Sequence, residues 1–142
     1  WTVVCTRAAG QEKESCNASF RVINNQNKAN LLVWLFGFNA QGEKLTEFRT
    51  LTEVRIQPGV VIELEGSAEM RATYKDSEPL RAAYVACGTG GCQASLNLDG
   101  DMIERLLDAK TATLSMTRSD GQVIQMKMDV TGIDLALRDL GF

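Results

Sequence analysis

The stretch Ala83-Ala-Tyr-Val-Ala-Cys87-Gly-Thr-Gly-Gly-Cys92-Gln-Ala-Ser-Leu-Asn-Leu98 constrains this chain more than any other. Two runs of small and apolar residues flank a four-residue glycine-rich loop, with a cysteine at each edge. That pattern predicts a β-hairpin closed across its mouth by a Cys87–Cys92 disulfide. Residues flanking such a loop face each other with Cα atoms roughly 4.5–5.5 Å apart, a separation that a disulfide spans. A redox-active pair would place Cys-x-x-Cys at the opening of a helix, where the thiol pKa falls. Here four residues intervene and those that follow alternate like a strand, so a structural clamp is preferred to a labile disulfide. Zinc ranks below both, because neither cysteine pair has the tight two-residue spacing usual at such sites. Gly88-Thr-Gly-Gly91 could cradle a phosphate, but it lacks the lysine of a P-loop and no helix opens after it. A tight turn accounts for the glycines.

The other two cysteines, Cys5 and Cys16, lie in Trp1-Thr-Val-Val-Cys-Thr-Arg7 and Ser15-Cys-Asn-Ala-Ser-Phe-Arg-Val-Ile-Asn24, two strand-like runs joined by a polar turn. Pairing those runs as a hairpin brings Cys5 near Cys16. An even number of closely paired cysteines fits an oxidising compartment. Trp1 in place of an initiator methionine fits a mature secreted protein whose signal peptide has been removed, or a chain trimmed to match one. The sequence has no histidine, which removes the commonest general base and the commonest zinc ligand together.

Between the hairpins the chain reads as further short strands. Leu31–Phe38 is a continuous apolar run suited to a central strand covered on both faces, with a short buried helix as the alternative. Leu45–Arg49, Leu51–Gln57, Val60–Glu65 and the alternation of Met70, Ala72 and Tyr74 follow, with Pro58-Gly59 as a turn. The period then changes. Met102, Ile103, Leu106 and Leu107 form one stripe of a helix over about 101–110, with Asp101 and Glu104 as its N-terminal signal and Lys110 at its end. Two alternating runs around Ser119-Asp-Gly-Gln122 predict another hairpin, and Ile133, Ala136, Leu137 and Leu140 predict a helix over about 132–140 ended by Gly141. The expected architecture is mainly β: an antiparallel β-sandwich or flattened barrel with two short helices, over one domain spanning 1–142. A chain of 142 residues buries roughly 70% of its unfolded surface without a staple.

Composition excludes several function classes. Net charge is −3 and no Lys/Arg cluster exceeds a few scattered residues, so the counterion-releasing stripe of a nucleic-acid binder is missing. No apolar run is long enough to span a bilayer as a helix. Asp99, Asp101, Glu104 and Asp108 crowd one region, but without the alternate-position ligands and terminal glutamate of an EF-hand they read as a solvated helix face. Met116, Met126 and Met128 read as core filling rather than thioether metal ligands. Asn17-Ala-Ser19 matches a glycosylation acceptor, relevant only in a eukaryotic secretory pathway. Ser/His/Asp catalysis is impossible without histidine. No catalytic, cofactor or metal residue is assigned.

In the order and spacing of its motifs the chain resembles the bacterial invasion-associated locus B proteins. Trp1-x3-Cys5 opens it and Cys16 follows; Pro58-Gly59 precedes an apolar strand mid-chain. Tyr84-x-x-Cys87-x3-Gly91-Cys92-Gln-Ala94 is the most specific element, followed by the helix after Asp99. Gly132-x3-Ala136-x3-Leu140 closes the chain, with Ile133 where the family usually has phenylalanine. The resemblance implies a secreted bacterial protein with a cleaved signal peptide, periplasmic or outer-membrane-associated, β-sandwich-like and linked to host-cell invasion or colonisation. It brings no catalytic residues and no cofactor. The expected function is that of a non-enzymatic envelope protein binding an envelope or host macromolecule. A periplasmic small-molecule- or metal-binding module is the second expectation and an unrecognised hydrolase the third.

Overall fold

A computed structural model describes residues 1–142. Nine antiparallel strands form one continuous sheet, curled into a half-barrel, in the order β1-β2-β3-β4-β7-β6-β5-β8-β9. The strands are β1 (Thr2–Thr6), β2 (Ser15–Ile23), β3 (Asn30–Phe38), β4 (Lys44–Thr50), β5 (Val60–Glu65), β6 (Leu80–Gly88), β7 (Gly91–Asn97), β8 (Thr111–Thr117) and β9 (Val123–Asp129). Three short helices, α1 (Ala68–Tyr74), α2 (Gly100–Asp108) and α3 (Ile133–Asp139), complete it.

Side chains alternate across a strand, so the registers decide which set is buried. Trp34 faces Phe48, Phe48 faces Ala94, Val60 faces Ala82 and Ile62 faces Leu114. These are all even-numbered residues and all buried, and they form the inner face. Leu106 and Ala109 at the end of α2, with Ile133, Ala136 and Leu137 of α3, are buried in the same core. Trp1 seals its far side. The indole stacks among Phe20, Trp34 and Phe36 at centroid distances of 5.2–5.4 Å, and its Nε1 donates to the Val130 carbonyl. Met116 is buried, and Met126 and Met128 pack against the core.

Four local expectations change. The segment read as an alternating strand at Met70, Ala72 and Tyr74 is α1. Over five residues a spacing of i, i+2, i+4 is compatible with either period, and the Ser67 hydroxyl decides it by accepting from Met70 N at 3.1 Å. Leu51–Gln57 is no strand. It crosses from β4, past β7 and β6, to β5, and pairs only through the isolated bridge Val54–Arg118. Leu31–Phe38 has one covered face: Leu32, Trp34 and Phe36 are buried, whereas Leu31, Val33 and Leu35 are half-buried on the outer face. The second helix is Gly100–Asp108, capped by the Asp99 carboxylate, which accepts from Met102 N at 2.9 Å, rather than by Asp101.

Candidate functional site

Cys87 and Cys92 stand opposite each other in β6 and β7 and are bonded, with Cα atoms 4.1 Å apart. A bulge makes that pairing. Tyr84 faces Ala94 and Ala86 faces Gln93, so β6 carries one extra residue at Val85. In an unbroken ladder Cys92 would have faced Ala86; the extra residue brings Cys87 opposite it. The turn is also tighter than expected: Gly88 pairs with Gly91, leaving Thr89-Gly90 as a two-residue tip. Gly91 has φ 136°, and a Cβ there would lie 2.3 Å from the Thr50 carbonyl oxygen, so only glycine lets the hairpin seat against the end of β4. Beneath it the Tyr84 hydroxyl is buried without a hydrogen bond, and burial pushes its titration up. The Thr50 hydroxyl opposes that shift from nearby, yet it donates to the carbonyls of Leu51 and Cys92.

Cys5 and Cys16 are bonded across the β1–β2 ladder, with Cα atoms 4.0 Å apart. Glu14 lies close enough that its carboxylate and the two sulfurs fall within 4.8 Å of one another. Both sulfurs are committed to each other and Glu14 pairs with Arg7 at 3.2 Å, so the folded, oxidised protein does not offer this group to a metal. The four carboxylates near α2 are divided by task. Asp99 caps the helix, and Asp108 accepts from Ser67 N at 2.9 Å and Ser67 Oγ at 2.7 Å, tying α2 to the start of α1. Asp101 is exposed, and Glu104 accepts from the Tyr74 hydroxyl at 3.4 Å.

Those two bonds from Ser67 hold the Asp108 carboxyl below its ordinary value. A carboxylate with a depressed folded pKa stabilises above the ordinary range, about pH 4, and loses that contribution as the pH falls through the folded value. Asp108→Asn should therefore lower the melting temperature at neutral pH, and the gap to wild type should shrink below about pH 4. Thermal unfolding across that range checks it; a gap that is constant with pH would show that the charge does not matter.

The outer face of β2, β3, β4 and β7 is the most organised polar surface. Registers place Ser19, Leu35, Glu47, Ser95 and Ala83 in one row and Arg21, Val33, Arg49 and Gln93 in the next. Gln93 Nε2 donates to Glu47 Oε1 at 2.7 Å, linking the rows diagonally. Gly37 leaves a gap beside Asn17, and a depression of about 530 Å³ opens there between Leu35, Leu45 and Glu47. Arg49 borders it, and also borders two further depressions of about 360 Å³ each, one toward β2 and one against the Cys87–Cys92 hairpin. All four cysteines predicted from sequence are paired, and the hairpin clamped by Cys87–Cys92 walls one of these depressions. Sequence reasoning missed Arg21, Glu47, Arg49 and Gln93. The alternation in Leu45–Arg49 was available as a signal, but only the β4–β7 register, bridging more than forty residues, brings Gln93 beside them.

A curled antiparallel sheet with α2 and α3 on its inner face, two hairpin disulfides and a polar outer face defines a small disulfide-clamped β protein. The family model described as invasion associated locus B (IalB) protein matches residues 1–141, and the chain belongs to that family. A crystal structure of invasion associated protein B from Bartonella henselae matches with a TM-score of 0.73 at 18% identity, covering 97% of this chain and 88% of that one. That likeness is one of fold. A comparison with curated proteins finds no match. No helix is long and apolar enough to cross a membrane, and the two disulfides fit an oxidising, extracytoplasmic setting.

Proposed function

We propose that this is a non-enzymatic cell-envelope protein, periplasmic or secreted after signal-peptide removal, that acts in invasion or colonisation by binding another macromolecule through the outer face of β2, β3, β4 and β7. The observation that carries the reading is the convergence of three depressions on Arg49 beside the disulfide-clamped hairpin. Binding surfaces combine preformed relief with a few placed polar groups on a rigid scaffold, and this face has both. Its apolar residues Val33 and Leu35 are half-buried between arginines, an amide and a carboxylate, a mixture typical of non-obligate interfaces.

The immobilised protein should capture a partner from envelope extracts of its own source. Ser95→Trp, on β7 opposite Glu47 of the outer face, should abolish that capture. Glu63→Trp, an exposed outward position on β5, should leave it intact. Capture that survives both substitutions, or is lost with both in folded protein, would overturn this choice of surface.

A further inference from the structure

The depression on the β2 side of Arg49 has a composition unlike its neighbours. Its charged lining is Arg21 and Arg49 alone, with Asn17, Ser19, Asn30 and Thr50 as neutral polar groups and Val4, Val33 and Leu35 as apolar ones. The register Arg21–Val33–Arg49 puts the two arginines on one row, separated by a single strand, which is roughly 10 Å between backbones. Each side chain is long enough to cover half that distance above Val33. Both are exposed, and neither takes part in an ion pair; the protein's pairs are Arg7–Glu14, Arg118–Asp120 and Lys127–Glu65. Glu47, the nearest carboxylate on this face, is bonded to Gln93 and lines the neighbouring depression instead. Two uncompensated guanidinium groups thus share one recess with three polar side chains that make no hydrogen bond within the protein.

We propose that this recess binds a phosphate monoester. Two arginine forks supply two positive charges and paired N–H donors in the geometry that phosphate oxygens accept. Asn17, Ser19 and Asn30 serve the remaining acceptors. A carboxylate carries one charge and two oxygens, which one arginine saturates, so it would leave the second guanidinium unused. A dianion with three terminal oxygens engages both. A volume of about 360 Å³ admits a phosphorylated monosaccharide or a lipid phosphate headgroup, but it is small for a folded partner. The proposal rests on the reading of this face as the binding face, and names the group it recognises there.

Glucosamine 1-phosphate, glucuronic acid and vesicles of neutral lipid with and without phosphatidic acid are titrated against the oxidised protein. Saturable binding of the sugar phosphate, about ten- to a hundredfold tighter than glucuronic acid, is expected. Arg21→Gln and Arg49→Gln should each weaken it by about tenfold while leaving the melting temperature unchanged, both side chains being exposed. Binding to the sugar phosphate alone identifies a soluble or glycan-borne source; binding to the phosphatidic acid vesicles alone, with the same arginine dependence, identifies a lipid surface. No binding of either at millimolar concentration, equal binding of glucuronic acid, or binding indifferent to both substitutions overturns the proposal. Envelope capture that is lost with Ser95→Trp but accompanied by no phosphate binding would sink this inference while leaving the binding face in place.

Discussion

Trp34→Ala should destabilise the protein by about 3–5 kcal/mol, the largest loss expected from any single truncation in the core. The indole is fully buried at the centre of an aromatic stack, with ring centroids 5.4 Å from Trp1, 5.4 Å from Phe36 and 5.2 Å from Phe48. Its Nε1 donates to Thr46 Oγ1 at 2.7 Å, and that hydroxyl in turn donates a hydrogen bond to the Leu35 carbonyl at 2.9 Å. Alanine opens a cavity against three rings, which relax only in part, and removes the donor that Thr46 accepts. Trp34→Phe keeps most of the volume and leaves the Thr46–Leu35 bond in place, so its cost should be nearer 1–2 kcal/mol, the sum of a smaller void and one lost bond. Denaturant unfolding of both variants checks the order; a loss below about 1 kcal/mol for alanine would mean that this stack does not anchor the sheet.

Gly91→Ala should cost about 2–4 kcal/mol, a fall in melting temperature on the order of ten degrees. The added methyl would lie 2.3 Å from a backbone oxygen of Thr50, at a φ of 136° that side-chain-bearing residues rarely adopt. The obstacle is main chain on both sides, so it yields only if β4 and β7 part at the Thr50–Cys92 pair. Gly88→Ala and Gly90→Ala meet nothing within 4 Å and should stay within about 0.5 kcal/mol of wild type. If all three glycines behaved alike, the turn rather than the contact with Thr50 would be the reason for Gly91. Because Arg49 adjoins Thr50 and borders the hairpin depression, Gly91→Ala should also weaken whatever the outer face binds.

How much of this was legible in the sequence depended on how far apart the deciding residues lie. The two hairpins that carry cysteines were readable because alternation, turn residues and cysteine spacing all fall within one short window. The bulge at Val85 was not, since nothing in Ala83–Cys87 announces an extra residue; it shows only when Cys87 is required to face Cys92. α1 was hidden because Met70, Ala72 and Tyr74 satisfy a two-residue period and Met70 with Tyr74 a helical one. Ser67 supplied the missing signal at a position that strand reading passes over. Leu51–Gln57 alternates as a strand should, but β4 takes β7 as its neighbour, so the segment is spent on travelling across the sheet edge. The outer face was the least legible part. Arg21, Arg49 and Gln93 belong to three strands far apart in sequence, and only long-range registers align them.

The placement of the disulfides also bears on how the chain matures. Each joins partners within one hairpin, at sequence separations of 11 and 5, while the β4–β7 seam that unites the two halves of the sheet must close across more than forty residues. Short loops close at small entropic cost and on fast timescales, so each thiol meets its proper partner before the distant seam is made. Any other pairing would have to span the long stretch between Cys16 and Cys87. The short loops thus favour the native pairs over either alternative pairing as the emerging polypeptide is oxidised.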